Sequence, residues 1–195
     1  MTVSFDSDQH IYYVNGEQVP SVTQALKKAG WIDGSFYAPA AAHRGTVAHE
    51  AIVLADQGIV GADFYASEIA GYVMAYLKFR RETDWQTVGY EEIVFSESWA
   101  GTQDLRGTLN GKPTIIDIKT GKPAEWHGVQ LAAYRCAPYR SNADGEIVEQ
   151  DSDPPQVRNL YVATNGQYRL GDRQSGLKYD SPVWDQRWKS VLKVL

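Results

Sequence analysis

Two aspartates and a lysine around one tight turn are the residues of this chain best suited to chemistry. Asp104 lies in the run Gly101 to Leu109, and Asp117 and Lys119 lie in the run Thr114 to Lys119, with Asn110-Gly111 near the centre. Asn-Gly is the strongest short hairpin signal, because both central residues of a type I′ turn need positive φ. With Leu109 facing Lys112 across that turn, counting outward along the two strands places Asp104 opposite Asp117. A directly opposed, non-hydrogen-bonded pair brings Cβ atoms to about 4.5–5.5 Å. Lys119 follows Asp117 by two residues and so projects from the same face. Pro113 falls at another non-hydrogen-bonded position, where its missing donor costs this ladder nothing.

Opposed carboxylates repel unless positive charge lies between them. Two arrangements meet that requirement. Either the acids are solvated on an exposed face and balanced by Lys119 and Arg106, or they bind a hard divalent cation such as Mg²⁺ or Mn²⁺.

The elements that must hold this hairpin in place are legible in the rest of the chain. His10 to Val19 reads as a small hairpin around Asn15-Gly16. Ser21 and Gln24 form a capping box, opening a helix that ends near Ala29 at Gly30. A second helix is predicted over Ala40 to Gln57, stopped by Gly58. A third runs from Tyr65 to Arg81 with Ile69, Tyr72, Val73, Tyr76 and Leu77 on one stripe. Strands are predicted over Val88 to Phe95, Thr102 to Leu109 and Thr114 to Lys119. A helix from Ala124 to Cys136 follows, closed by Pro138. Val157 to Ala163 is a strand that turns at Asn165-Gly166 into Tyr168 to Leu170. The C-terminus from Pro182 is amphipathic, with Trp184, Trp188, Val191 and Leu195 on its apolar face.

Length and composition bound the function classes. The 195 residues suit one domain with a sizeable core, and 43% hydrophobic with 22% charged residues is ordinary for a globular protein. No run approaches the roughly 18 apolar residues of a membrane span, and the N-terminus carries no signal-peptide pattern. Cys136 is the lone cysteine, so neither an intrachain disulfide nor a four-cysteine zinc or iron–sulfur site can form. A reducing, cytoplasmic setting is the expectation. The net charge of −5 argues against a generic nucleic-acid coat. That charge is local, because Asp144, Glu146, Glu149, Asp151 and Asp153 lie in one base-free stretch, expected to be a solvated loop. The body of the chain is balanced.

Gly101-x-x-Asp104, Asp117-Ile118-Lys119 and Gln130-x-x-x-Tyr134, in that order, resemble the motifs of the PD-(D/E)XK nuclease superfamily, and more narrowly its RecB-like exonuclease branch. Upstream, Arg44-Gly45-Thr46-Val47-Ala48-His49 resembles the Gly-x-x-x-His helix motif of that branch. The run from Tyr12 to Thr23 resembles the front of phage exonucleases and of the mitochondrial genome-maintenance exonuclease. The resemblance implies an α/β fold with a restriction-endonuclease-like core, a central mixed β-sheet flanked by helices. It reads as one nuclease domain, with an N-terminal hairpin and helix at 1–38, a core at 39–170 and a C-terminal helix at 171–195.

The same resemblance implies a Mg²⁺- or Mn²⁺-dependent deoxyribonuclease acting on single strands or duplex ends in replication, recombination or repair. An endonuclease or a non-catalytic DNA-binding module on this fold are the alternatives. The cell would be bacterial or phage-infected, with a possible recombination or replication protein as partner. Asp104, Asp117, the Ile118 carbonyl and His49 would be metal ligands. Lys119 would sit beside the scissile phosphate, and Gln130 and Tyr134 would border it from one helix face. Ser21, Thr23, Arg44, Lys122 and Trp126 are candidates for contacting DNA, Trp126 by stacking on an unpaired base. Glu92 is a candidate for supporting the metal ligands. The four cysteines of iron–sulfur relatives are absent, so no such cluster is expected.

Overall fold

The computed structural model describes residues 1–33, 39–64, 67–142, 144–150, 153–171 and 181–195. The elements are β1 (Val3–Asp6), β2 (Ile11–Val14), β3 (Glu17–Val19), α1 (Val22–Lys28), α2 (Pro39–Asp56) and α3 (Ser67–Glu82). They continue with β4 (Gln86–Phe95), β5 (Ala100–Leu109), β6 (Lys112–Lys119), α4 (Glu125–Cys136), β7 (Tyr139–Ser141) and β8 (Ile147–Glu149). The chain closes with β9 (Gln156–Val162), β10 (Tyr168–Leu170) and α5 (Ser181–Leu192). Tyr65 and Asp151 lie outside the described residues. Among the described residues, no helix is long and apolar enough to cross a membrane.

A seven-stranded mixed sheet in the order β10-β9-β6-β5-β4-β7-β8 forms the centre. Only β6 and β9 run parallel, and such a pair needs a long crossover. The crossover contains α4, which packs its Val129, Leu131, Ala132 and Ala133 into one core with α1 and α5. The other face of the sheet presents Leu105, Ile116, Ile118 and Leu160 to α2 and α3, where Ala48, Ile52, Val73, Tyr76 and Phe79 are buried. Along β6, Ile115 and Ile116 therefore go to opposite cores, as the two-residue period of a strand requires. The fold is α/β, with a mixed central sheet covered by helices on both sides.

A three-stranded sheet, β1-β2-β3, stands apart from the central one. Tyr12 Oη and Thr102 Oγ1 share a hydrogen bond of 2.8 Å, and Ala100 N donates to Pro20 O, which ties this sheet to β5. The Asn15-Gly16 and Asn110-Gly111 turns have the expected left-handed residues, with φ of 52° and 83° in the first and 52° and 68° in the second, whereas at Asn165-Gly166 only the glycine is left-handed, at 74°. Ser21 and Gln24 make both hydrogen bonds of the capping box.

Three expectations need correction. The acidic stretch is not wholly loop, since β8 forms within it as the outermost strand; Asp144, Glu146, Glu149 and Asp153 remain exposed. Leu195 is exposed rather than part of the core face of α5, because the helix ends at Leu192. The N-terminal sheet gains a third strand, β1, which the run of mixed polar residues before His10 did not announce.

Candidate metal and phosphate site

The β5–β6 hairpin has the register expected from its turn. Leu109 pairs with Lys112, Thr108 with Pro113, Gly107 with Thr114, Arg106 with Ile115 and Leu105 with Ile116. No bulge interrupts the five pairs. Asp104 and Asp117 are the residues immediately beyond the last pair, where the strands part. Asp104 uses that opening: its Oδ2 accepts the Ile118 backbone N–H at 2.5 Å, so a side chain replaces a ladder bond. Both aspartates are buried.

On one side of the opening α2 brings His49, whose Nδ1 lies 3.5 Å from Asp104 Oδ1. On the other side Lys119 Nζ lies 2.5 Å from Asp117 Oδ2, an ion pair more than an aligned hydrogen bond. Lys119 also donates to Gln130 Oε1 at 2.8 Å, and Gln130 Nε2 donates to Tyr134 Oη at 2.8 Å. The i, i+4 spacing on α4 makes this second bond possible. Gly101 explains how α4 approaches so closely. A Cβ there would lie 2.9 Å from Val22 Cγ2 and 3.1 Å from Tyr134 Cε1, so the missing side chain admits α1 and α4 to the strand.

All of these residues line one cleft of about 910 Å³, roofed by Phe5, His10 and Tyr12 of the N-terminal sheet. Ser21 and Thr23 line it as well, although the Ser21 hydroxyl is already committed to capping α1. Arg44, Lys122 and Trp126 are not brought to this cleft. Arg44 pairs with Glu68 at 3.3 Å. Lys122 lines a second cleft. Trp126 packs on the α4–α5 core, beneath Lys119 Nζ at 5.2 Å from its ring centroid, so one face already serves a cation.

Sequence reasoning missed Glu91 and chose its neighbour. Glu92 is buried on the other side of β4, where Gln103 Nε2 donates to it at 2.8 Å and Arg140 Nη1 lies 3.4 Å away. It holds β4, β5 and β7 together and does not reach the cleft. Glu91 does. Its backbone is left-handed, with φ of 49°, and the β4–β5 ladder passes from Tyr90–Leu105 to Glu92–Gln103 without pairing Glu91. Glutamate gains nothing from that conformation by itself. The one available signal was the doubled acid, Glu91-Glu92, at a position that alternation alone assigns to opposite faces.

The electrostatics describe a site with more negative charge than its lysine balances. Burial, together with the Asp104 carboxylate, pushes Asp117 up to about 6 against the pull of Lys119. Burial and Asp104 push Glu91 up to about 7. Burial would raise Asp104 too, but His49, Lys119 and the Ile118 amide outweigh it and hold this carboxyl below its usual value. Burial would depress His49, yet Asp104 facing it holds the imidazole above its usual value.

His49, Glu91 and Asp104 could hold a metal ion, since one ligand atom from each lies within 4.8 Å of the others. One imidazole nitrogen and two carboxylate oxygens form a donor set for a borderline-to-hard divalent cation. The raised carboxyls fit the same conclusion, because a cation would compensate the charge that Lys119 leaves unbalanced. Asp117 stands next to this group, tied to Lys119. No protein-family model matches the chain, and no curated protein matches it.

Proposed function

We propose that the chain is a Mg²⁺- or Mn²⁺-dependent deoxyribonuclease with a PD-(D/E)XK, RecB-like core, acting as an exonuclease on single strands or DNA ends. One observation carries this reading: the Asp117–Lys119–Gln130–Tyr134 chain opens into the same cleft as the His49, Glu91 and Asp104 donors. Donors for a cation beside a fixed ammonium suit a phosphodiester, whose oxygens need positive charge as the bond breaks. The β5–β6 hairpin followed by the α4 crossover supports the core assignment.

His49, Asp104 and Glu91 would hold the metal, with Asp117 beside them. Mg²⁺ or Mn²⁺ supplies positive charge to a phosphoryl oxygen and lowers the pKa of water. The protein's own part is positioning. A lysine ammonium has three N–H groups; Gln130 fixes the direction of one and the Asp117 carboxylate holds the charge in place, leaving N–H groups for a phosphate oxygen or the attacking water. Tyr134 holds Gln130 in turn, so the ammonium cannot rotate freely. Burial of both aspartates keeps bulk water from screening this charge.

The test is digestion of 5′- and 3′-labelled single-stranded, duplex and covalently closed circular DNA, with Mg²⁺ and Mn²⁺ compared. Shortening of linear DNA from its ends, with circles left intact, is expected. Cut circles would replace the exonuclease with an endonuclease on the same site. Intact DNA in every arm, with binding retained, would leave a non-catalytic DNA-binding module.

A further inference from the structure

A second cleft, of about 500 Å³, begins where the first ends. Lys119 lines the first, and the residues that follow it, Thr120 to Pro123, line the second. Tyr161, which pairs with Lys119 across the parallel β6–β9 ladder, forms part of its wall. The chain passes from one cleft to the other between Lys119 and Thr120.

Their charges differ in sign. The first cleft holds Glu50, Glu91, Asp104 and Asp117 against Lys119 and two histidines. Among the described residues, the wall of the second holds Lys122 and Arg169 and no acid. Lys122 has no ion-pair partner among the described residues, and Arg169 lies over the Tyr161 ring at 4.9 Å, with its Nε lacking a hydrogen-bond partner. Gln167 in the same wall accepts from Lys78 Nζ at 2.6 Å. The track goes on past Asn165 into a smaller hollow, where Lys78 and Arg81 again stand without an acid among the described lining residues. Among the described residues, four cations line two adjoining hollows whose walls hold no acid, although Tyr168 of the second cleft's wall donates to Glu82 Oε2 at 3.1 Å; in a chain of net charge −5 this is a concentration of one sign.

We propose that this track, Lys122–Arg169–Lys78–Arg81, binds the phosphates of a single DNA strand beyond the bond that is cut. The inference rests on the nuclease reading and adds a direction to it: the strand enters by the aromatic-roofed cleft and leaves across α3. A row of cations matches a polynucleotide backbone, where phosphates repeat. An isolated phosphate would need only one such position.

The test measures binding of a fluorescein-labelled 15-nucleotide oligothymidylate to the full chain in Ca²⁺, across a salt series. Lys122→Glu and Arg81→Glu should each weaken binding about tenfold, and each lost phosphate contact should reduce the salt slope by about 0.7. Arg169→Lys, which keeps the charge and the fold, should bind more tightly than Arg169→Gln. Lys112→Glu, the same charge change at the hairpin turn, should bind as the unaltered chain does. If Lys122→Glu and Arg81→Glu bind within twofold of the unaltered chain with unchanged salt slope, while the unaltered chain degrades DNA, this inference falls and the nuclease reading stands. If the unaltered chain neither binds nor degrades DNA, both fall.

Discussion

The two ends of the β5–β6 hairpin are built from the same pair of strands and do opposite things. At the turn end, Asn110 and Gly111 adopt left-handed φ, and five residue pairs follow in unbroken register. Backbone groups there satisfy one another, and the tip is exposed. At the open end the pairing stops, and buried carboxylates take over: Asp104 accepts the Ile118 amide, and Asp117 holds Lys119. The regular end sets the register that makes the irregular end possible. Stability is concentrated at one end, and reactive charge at the other.

The largest effect expected from breaking this contrast is at the open end. Asp117→Ala should lower DNA cleavage by about 10³-fold, the scale of losing a preorganised charge in a site of this kind. Asp104→Asn keeps an acceptor for the Ile118 amide while removing the charge. It should therefore fold, lose cleavage to a similar degree, and lose the rise in melting temperature that Mn²⁺ gives the unaltered chain. A chain that keeps the Mn²⁺ response after Asp104→Asn would place the ion elsewhere.

Next in size is the contrast between adjacent glutamates. Glu92→Ala leaves Arg140 and Gln103 without their buried partner and should cost about 3 kcal/mol in urea denaturation. Glu91→Ala should cost little stability, because that carboxylate faces the cleft, but should weaken Mn²⁺ binding in calorimetry. Equal stability losses in the two variants would overturn this division of roles between the glutamates.

At the turn end the effect is smaller and purely conformational. Gly111→Val places a branched residue at φ of 68° and should destabilise the fold by about 1–2 kcal/mol, with unchanged metal affinity. A change in metal affinity there would mean that the two ends are coupled more tightly than five regular pairs suggest.

A further expected effect is a slope with pH. Asp117 at about 6 and Glu91 at about 7 both lie above the unfolded carboxylate range of about 4. Between these limits the folded, metal-free chain holds protons that the unfolded chain has released. Its stability should therefore fall as pH rises from about 4 to about 7, and raised His49 acts in the same direction as pH passes its folded value. Asp104, depressed in the fold, opposes the trend only as pH falls through its own lower range. Melting scans without metal should show the decline, and the gain from added Mn²⁺ should grow over the same interval, because the ligands must lose their protons first.

How much of this was legible in the sequence follows the same division. Features set by a few neighbouring residues were legible: the Asn15-Gly16 and Asn110-Gly111 turns, the Ser21–Gln24 box and the periodicity of α3 and α5. So was the hairpin register, because a two-residue turn leaves the strands one way to pair. The spacing of Gln130 and Tyr134 was enough to place them together. Glu91 was hidden because its left-handed backbone, with φ of 49°, is a local departure inside β4 that side-chain alternation does not reveal. The contact of Trp126 with Lys119 was hidden because nothing local reveals that the lysine lies over its ring. β8 escaped because three residues inside an acidic run become a strand only when β7 is there to pair with them.

That outermost strand has a consequence for how the protein behaves in company. An open sheet edge invites another chain to add its own strand, which is the first step of aggregation. Here the edge is framed by Glu149, Asp144 and Glu146, all exposed, and two copies approaching edge to edge would bring like charges together. Replacing these acids with threonines would remove that repulsion, and the expected penalty is lost solubility at high concentration.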